Sequence, residues 1–179
     1  MTQATASLLL ALALPTGGTA PLPHWNPKAP ENVKLLPGFT QANVAEVLGA
    51  VGARVQRSGA DPSRSDLLAT FPNGTKAVIA MSGCDTAGSG CKALNIQSFW
   101  TKSAKAPPER TAEAVAAFNQ RYSFGKAFVM ADGRTTLQYY LTADYGFVRG
   151  NLAVVLLVFA DQAEKLAADF LRPLEKSAP

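Results

Sequence analysis

The residues of this sequence whose types and spacing suit chemistry are two cysteines, one histidine and scattered carboxylates. Cys84 and Cys91 enclose a glycine-rich segment that lies between two strand-like runs. Such a loop can bring two Cα atoms to the separation of about 4.4–6.8 Å that a disulfide needs. We therefore predict a structural disulfide, which oxidising compartments preserve and which stabilises the fold by about 2–3 kcal/mol for so short a ring.

Two other uses of the cysteines fit the sequence less well. Redox catalysts carry the motif Cys-X-X-Cys, whereas six residues separate Cys84 from Cys91. A structural zinc site needs two further ligands, and His24 lies far away in a proline-rich stretch. We therefore interpret Cys84 and Cys91 as a structural disulfide.

Catalytic constellations are also poorly supported. A Ser-His-acid triad would have to use His24, the single histidine. Asp132, Asp144 and Asp161 are formal candidates for paired-carboxylate chemistry, although Asp132 suits a turn and Asp161 a solvated helix face. The glycine-rich loop between the cysteines lacks the Gly-Lys-Ser/Thr ending of a phosphate loop. We predict a protein that is not an enzyme and uses no cofactor or metal. The alternative is a small hydrolase or ligand-binding enzyme that acts through acidic residues.

The composition suits one globular domain. The chain has 179 residues, of which 47% are hydrophobic and 17% charged, enough to build a core and too few charges for a disordered polyelectrolyte. The net charge of +4 is modest and scattered, so no nucleic-acid surface is predicted. No apolar run reaches the roughly 20 residues of a membrane-spanning helix.

The first twenty residues predict export. Residues 1–20 contain no charged side chain, and residues 6–14 form an apolar run of the length of a signal-peptide core. The n-region lacks Lys and Arg, which is atypical. We predict a signal peptide over residues 1–20 and a periplasmic or secreted protein. An N-terminal helix of the mature fold is the alternative.

The remaining residues predict a linker, one domain and a tail. Residues 21–38 contain five prolines and predict an extended linker rather than a packed element. Residues 39–173 predict the folded domain, and residues 174–179 a tail. Pro173 is expected to stop the last helix.

Within the domain, the apolar spacing predicts helices that alternate with groups of strands. Predicted helices lie near residues 40–52, 109–122 and 147–171. Predicted strands lie near residues 53–57, 67–71, 76–81, 92–101, 125–131 and 134–142. Asn73-Gly74 and Asp132-Gly133 are strong hairpin signals. The order α-β-β-β-β-α-β-β-α predicts a single layered α+β domain, with an antiparallel sheet packed by helices.

One sheet face is a candidate surface for partner contact. Phe99 points away from Trp100, and Tyr140 shares its face if the second hairpin continues the sheet. A partly polar face with a few aromatic residues can hold an extended peptide, or a peptide can add a strand at the edge. An ordinary solvated sheet face is the alternative.

The last helix offers a second candidate surface. Val154, Leu157 and Val158 are apolar but lie off the stripe that faces the predicted core. They predict either packing against the first helix or the N-terminal segment, or contact with a client protein or a second copy of the chain. Lys102, in the basic connector that follows the fourth strand, is interpreted as part of a solvated loop.

Three segments carry a pattern that goes beyond local structure. Residues 82–84 and 91–96 form a strand, cysteine loop and strand, and residues 118–128 form an aromatic-Asn segment that leads into Phe-Gly-Lys-Ala-Phe. Residues 145–148 form a glycine-containing entry to the last helix. In these segments the chain resembles exported members of the YbjN family, whose fold is similar to that of type III secretion chaperones. The resemblance implies a non-catalytic regulator or chaperone-like binding module, and homodimerisation by analogy with those chaperones. It transfers no functional residue.

Overall fold

An antiparallel sheet forms one layer of the protein and helices form the other. The computed structural model describes residues 25–57, 66–86 and 90–176. The predicted signal peptide, His24, the loop 58–65 and residues 87–89 of the cysteine loop lie outside the described residues. The strands are β1 (Leu35–Leu36), β2 (Arg54–Arg57), β3 (Leu67–Thr70), β4 (Lys76–Ser82), β5 (Ala93–Trp100), β6 (Lys126–Val129), β7 (Thr135–Thr142) and β8 (Phe147–Val148). The helices are a 3₁₀ turn (Pro30–Val33), α1 (Gln41–Ala50), α2 (Pro108–Arg121), α3 (Arg149–Lys165), a π turn (Leu166–Leu171) and α4 (Arg172–Lys176).

Within the described ranges, the main sheet has six strands in the order β2-β3-β4-β5-β7-β6, with every neighbouring pair antiparallel. Two of its hairpins turn at Gly74 and Gly133, which have φ angles of 85° and 84°. A side chain at such a φ is strained, so glycine is the residue that these turns need. The predicted α+β class, with its antiparallel sheet packed by helices, is confirmed.

The core lies between the sheet and the helices. Strands β4 and β5 alternate buried with less buried residues, so one face of the sheet is covered and the other is not. Phe159 of α3 is fully buried, and its ring centroid lies 5.3 Å from that of Tyr139 and 6.3 Å from that of Phe71. Thr40 begins α1 with a capping box, because its side chain accepts from the Asn43 N–H and the Asn43 side chain accepts from the Thr40 N–H.

The segment predicted as an extended linker is packed where the structure describes it, which corrects the sequence-based expectation for residues 25–38. Leu36 is buried, and β1 pairs with β8. Asn32 is buried and accepts a hydrogen bond of 2.8 Å from the Arg149 guanidinium. The prolines restrict the backbone in this segment but do not prevent a short 3₁₀ turn and a two-residue strand.

The last helix differs from its prediction at both ends. Phe147 and Val148 form β8 rather than the first helical turn, because they pair with β1 and α3 begins only at Arg149. Pro173 does not end the helix. It is the second residue of α4, and the first turn of a helix does not need its N–H. Leu174, predicted to begin a tail, is buried.

A buried hydrogen bond joins the sheet to α3 and gives a prediction in alkaline solution. The Tyr139 hydroxyl donates to Gln162 Oε1 at 2.6 Å. Burial, followed by the charge of Asp161, raises the pKa of Tyr139 above its ordinary value. The folded state therefore holds this proton more tightly than the unfolded state. The resulting stability is complete below the unfolded pKa of about 10 and is lost as the pH rises above it.

We therefore expect Tyr139→Phe to flatten the fall in unfolding free energy above about pH 10, relative to the unsubstituted protein. At neutral pH the variant should lose about 1–3 kcal/mol, because Gln162 is left without its partner. Chemical denaturation between pH 7 and pH 11 measures both effects. Tyr140→Phe is the matched control, since Tyr140 is exposed. Parallel pH profiles for all three proteins would contradict the assignment.

Candidate functional site

The uncovered side of the six-stranded sheet brings Phe99 and Tyr140 to one surface. The register of β5 and β7 places Phe99 opposite Thr136, and Asn95 opposite Tyr140. Facing residues of an antiparallel pair point to the same side of the sheet. We call this surface the outer sheet face. Its members are Arg54, Gln56, Leu68, Thr70, Lys76, Val78, Ala80, Asn95, Gln97, Phe99, Lys126, Phe128, Thr136, Gln138 and Tyr140.

Large apolar side chains remain exposed on the outer sheet face. Leu68, Phe99 and Tyr140 are 40%, 38% and 63% exposed. They lie on both sides of a polar centre, where Gln138 Nε2 donates to Asn95 Oδ1 at 2.9 Å. The face therefore combines apolar contact area with amides that can accept and donate hydrogen bonds.

A groove of about 430 Å³ runs along part of this face. Leu68, Val78 and Phe99 line it together with Lys76 and neighbouring polar residues. This volume lies within the range of about 300–1,000 Å³ that is usual for ligand sites. An extended segment lying in the groove would contact the aliphatic and aromatic side chains directly.

The charge of the outer sheet face has one sign. Among the described residues, its members include Arg54, Lys76 and Lys126 and no carboxylate. Asp132, in the turn beside this face, pairs with Arg134 at 2.7 Å. The backbone N–H and side chain of Arg134 hold the pKa of Asp132 below its ordinary value. The face is therefore suited to a partner with negative charge.

One edge of the sheet is closed by a side chain. Asn119 Nδ2 donates to the Ala127 carbonyl, and Asn119 Oδ1 accepts from the Ala127 N–H, both at 2.9 Å. The side-chain amide thus occupies backbone groups of β6 that an added strand would use. A partner at this side of the sheet would therefore contact the outer sheet face rather than pair with the edge strand β6.

The residues singled out on the last helix lie on the other layer of the protein. Val154 is 44% exposed, whereas Leu157 and Val158 are half-buried. Leu157 packs against the core cluster, and α3 contacts α1. We call these three residues the α3 patch. The α3 patch and the outer sheet face lie on opposite layers of the protein.

The two cysteine sulfurs are bonded, with an S–S distance of 2.01 Å. The Cα atoms are 3.7 Å apart, closer than the predicted separation, and Gly83 and Gly90 beside the cysteines have φ angles of 63°. Cys91 is buried, and its backbone exchanges two hydrogen bonds of 2.8 Å with Phe39. These backbone hydrogen bonds join the β4–β5 loop, which the disulfide closes, to the segment that enters α1.

The carboxylates considered for catalysis are placed on separate elements. Asp132 lies in the β6–β7 turn, Asp161 pairs with Lys165 on α3 at 2.7 Å, and Asp144 follows β7. Asp161 raises the pKa of Lys165 through this hydrogen bond. Within the described ranges, no three His, Cys, Asp or Glu residues form a group that could hold a metal ion. None of the described helices has the length and apolar character needed to cross a membrane.

Three large apolar members of the outer sheet face are not singled out from the sequence. Leu68, Val78 and Phe128 lie in or beside runs that are apolar at consecutive positions. In such runs the alternation of apolar and polar residues does not indicate which side chain faces out. Strand β5 does alternate apolar and polar residues, so it indicates which of its own side chains face out. Once the strands that pair with β5 are known, the outward residues of those strands follow from it.

These features define a two-layer α+β protein with one open sheet face, and the same architecture occurs in a solved protein. The solved structure is described as "Crystal structure of YbjN, a putative transcription regulator from E. coli". It aligns with a TM-score of 0.54 and 15% sequence identity, over 76% of this chain and 93% of that one. At this identity the likeness concerns the fold.

Residues 40–172 match the YbjN family, described as "Putative bacterial sensory transduction regulator". The chain belongs to the YbjN family. The family predicted from the cysteine loop and the aromatic-Asn segment is therefore confirmed. A search of curated proteins gives no match.

Proposed function

We propose that the protein is exported and acts as a non-catalytic binding protein whose outer sheet face holds an extended, acidic segment of a partner protein. One observation carries the proposal: Leu68, Phe99 and Tyr140 are exposed together on a face that no described helix covers. Exposed large apolar side chains interspersed with amides on an open sheet face suit contact with an extended segment of a partner.

The charge of the face supports the acidic character of the segment. Arg54, Lys76 and Lys126 attract negative charge and accelerate encounter with an acidic partner. The central amides of Asn95 and Gln138 offer hydrogen bonds to a peptide backbone. The family description as a regulator is consistent with action through contacts rather than through turnover.

The disulfide supports the location. Cytosolic thiols are kept reduced, whereas the periplasm and the extracellular space preserve disulfides. The predicted signal peptide over residues 1–20 and the bonded pair Cys84 and Cys91 support the same location independently. We infer a periplasmic or secreted protein.

The experiment is affinity capture from the native cell envelope with the mature protein and three variants. We expect Phe99→Glu combined with Tyr140→Glu to lose the captured partner, because both substitutions place negative charge where an acidic segment binds. Tyr145→Glu is the matched control, since Tyr145 is an aromatic residue that is 99% exposed and lies between β7 and β8, outside the six-stranded sheet. It should retain the partner.

The third variant, Val154→Glu, tests contact through the α3 patch, which is also where a homodimer would form. Loss of the partner with Val154→Glu, and its retention by the Phe99 and Tyr140 double variant, would overturn the proposal. A shift from dimer to monomer on sedimentation of Val154→Glu would assign the α3 patch to self-association instead.

A further inference from the structure

We infer that a cleft beside Trp100 binds a small amphipathic anion, namely an unbranched acyl chain with a carboxylate head group. The cleft is separate from the groove on the outer sheet face, and the inference does not depend on the proposed function. We call it the Trp100 cleft. It lies where the end of β5, residues 101–104, the first turn of α2 and the π turn with α4 meet.

The size and apolar lining of the Trp100 cleft suit an acyl chain. Its volume is about 530 Å³, inside the usual range for small-molecule sites. Trp100, Ala167, Leu171 and Leu174 contribute apolar surface. Ala167 and Leu171 belong to the π turn, a helix irregularity that occurs frequently at functional sites.

Two threonine side chains belong to the lining. Thr111 and Thr135 are only 7% and 2% exposed, and both line the cleft. In the described part of the chain, no hydrogen bond uses either hydroxyl. Neither oxygen is fully enclosed by the protein, so both hydroxyls can donate to acceptor oxygens of a ligand in the cleft. The pair therefore favours a head group with acceptor oxygens.

The charges at the cleft favour a negative head group. Lys102 and Arg172 line it, and neither belongs to an ion pair among the described residues. Among the described lining residues, Glu175 is the one carboxylate, which leaves an excess of positive charge. A guanidinium binds a carboxylate in a bidentate manner. Lys102, interpreted from the sequence as part of a solvated loop, thus gains a specific role.

The probe is dodecanoate below its micellar concentration, and the signal is tryptophan fluorescence. The chain has two tryptophans, Trp25 and Trp100, so a Trp25→Phe background reports on the cleft alone. We expect a saturable change in Trp100 emission. Calorimetric titration of the unsubstituted protein should give the same affinity, which guards against an effect of the background substitution.

The head-group assignment is tested with Lys102→Gln combined with Arg172→Gln. We expect this variant to bind dodecanoate about tenfold more weakly, the loss expected for a charge-assisted contact. Its affinity for dodecanol, which has the same chain and no charge, should stay unchanged. Lys105→Gln is the matched control, because Lys105 lies in the same connector but does not line the cleft. It should bind dodecanoate like the unsubstituted protein.

Three results would overturn the inference. They are the absence of saturable dodecanoate binding, equal or tighter binding of dodecyltrimethylammonium, and dodecanoate binding by the double variant that matches that of the unsubstituted protein.

Discussion

Phe159→Ala should lower the free energy of unfolding by about 3–5 kcal/mol, as is typical when a fully buried phenylalanine is truncated. Phe159 packs edge-on against Tyr139 of β7 and also contacts Phe71, which follows β3. The side chain therefore joins α3 to two parts of the sheet. Its removal leaves a cavity that the flanking strands, fixed by their hydrogen-bonded neighbours, can fill only in part. Chemical denaturation measures the loss.

The control for this substitution is Phe124→Ala. Phe124 is 77% exposed, so the same change in composition should alter stability by no more than about 0.5 kcal/mol. If Phe159→Ala cost less than about 1 kcal/mol, α3 would not pack on the sheet as described. The two-layer arrangement would then be wrong.

Breaking the cysteine bridge should have the second-largest effect. Cys84→Ser should lower the unfolding free energy by about 2–3 kcal/mol, because the unfolded chain gains the freedom that the closed loop removes. Reduction of the unsubstituted protein should cause a similar loss, whereas a reductant should not change the stability of the variant further. Denaturation with and without dithiothreitol measures all four conditions.

The same experiment bears on location. Material purified natively without reductant should contain no free thiol, because Cys84 and Cys91 are its only cysteines. Titration of two thiols per chain would contradict the bridge and remove the structural support for export. Cys84→Ser with Cys91→Ala, which leaves no thiol to oxidise, controls for intermolecular disulfides.

The alternation of the strands and the hairpin signals predict most of the sheet. The turns at Gly74 and Gly133 and the cap at Thr40 are local features that depend on residue type, so the sequence indicates them directly. Strand β1 is different. Leu35 and Leu36 form a strand only because β8 is brought beside them, a long-range pairing with no local signal.

Local sequence patterns also do not predict which residues that are distant in the sequence come into close contact. Gly125 carries no side chain, and an added Cβ would collide with the Tyr139 ring. The sequence places Gly125 before a strand but does not show which ring approaches it. Arg149 is likewise buried, and its hydrogen bond with Asn32 depends on a segment that the prolines predict to be a linker.

The candidate site could be predicted only in part, because it also depends on contacts between residues that are distant in the sequence. Phe99 and Tyr140 were placed on one face from the alternation within two strands, and the register puts them there. The Trp100 cleft combines residues from β5, α2, the π turn and α4. No sequence pattern links residues that become neighbours only when the helices pack on the end of the sheet.

The central claim, that the outer sheet face holds a partner, is tested most directly by site-specific photo-cross-linking in living cells. A photoreactive residue is placed at position 99 or 140, and at position 154 as the comparison on the opposite layer. The account predicts a discrete adduct with the same partner protein from positions 99 and 140 and none from position 154. An adduct only from position 154, or none from the sheet face, would contradict it.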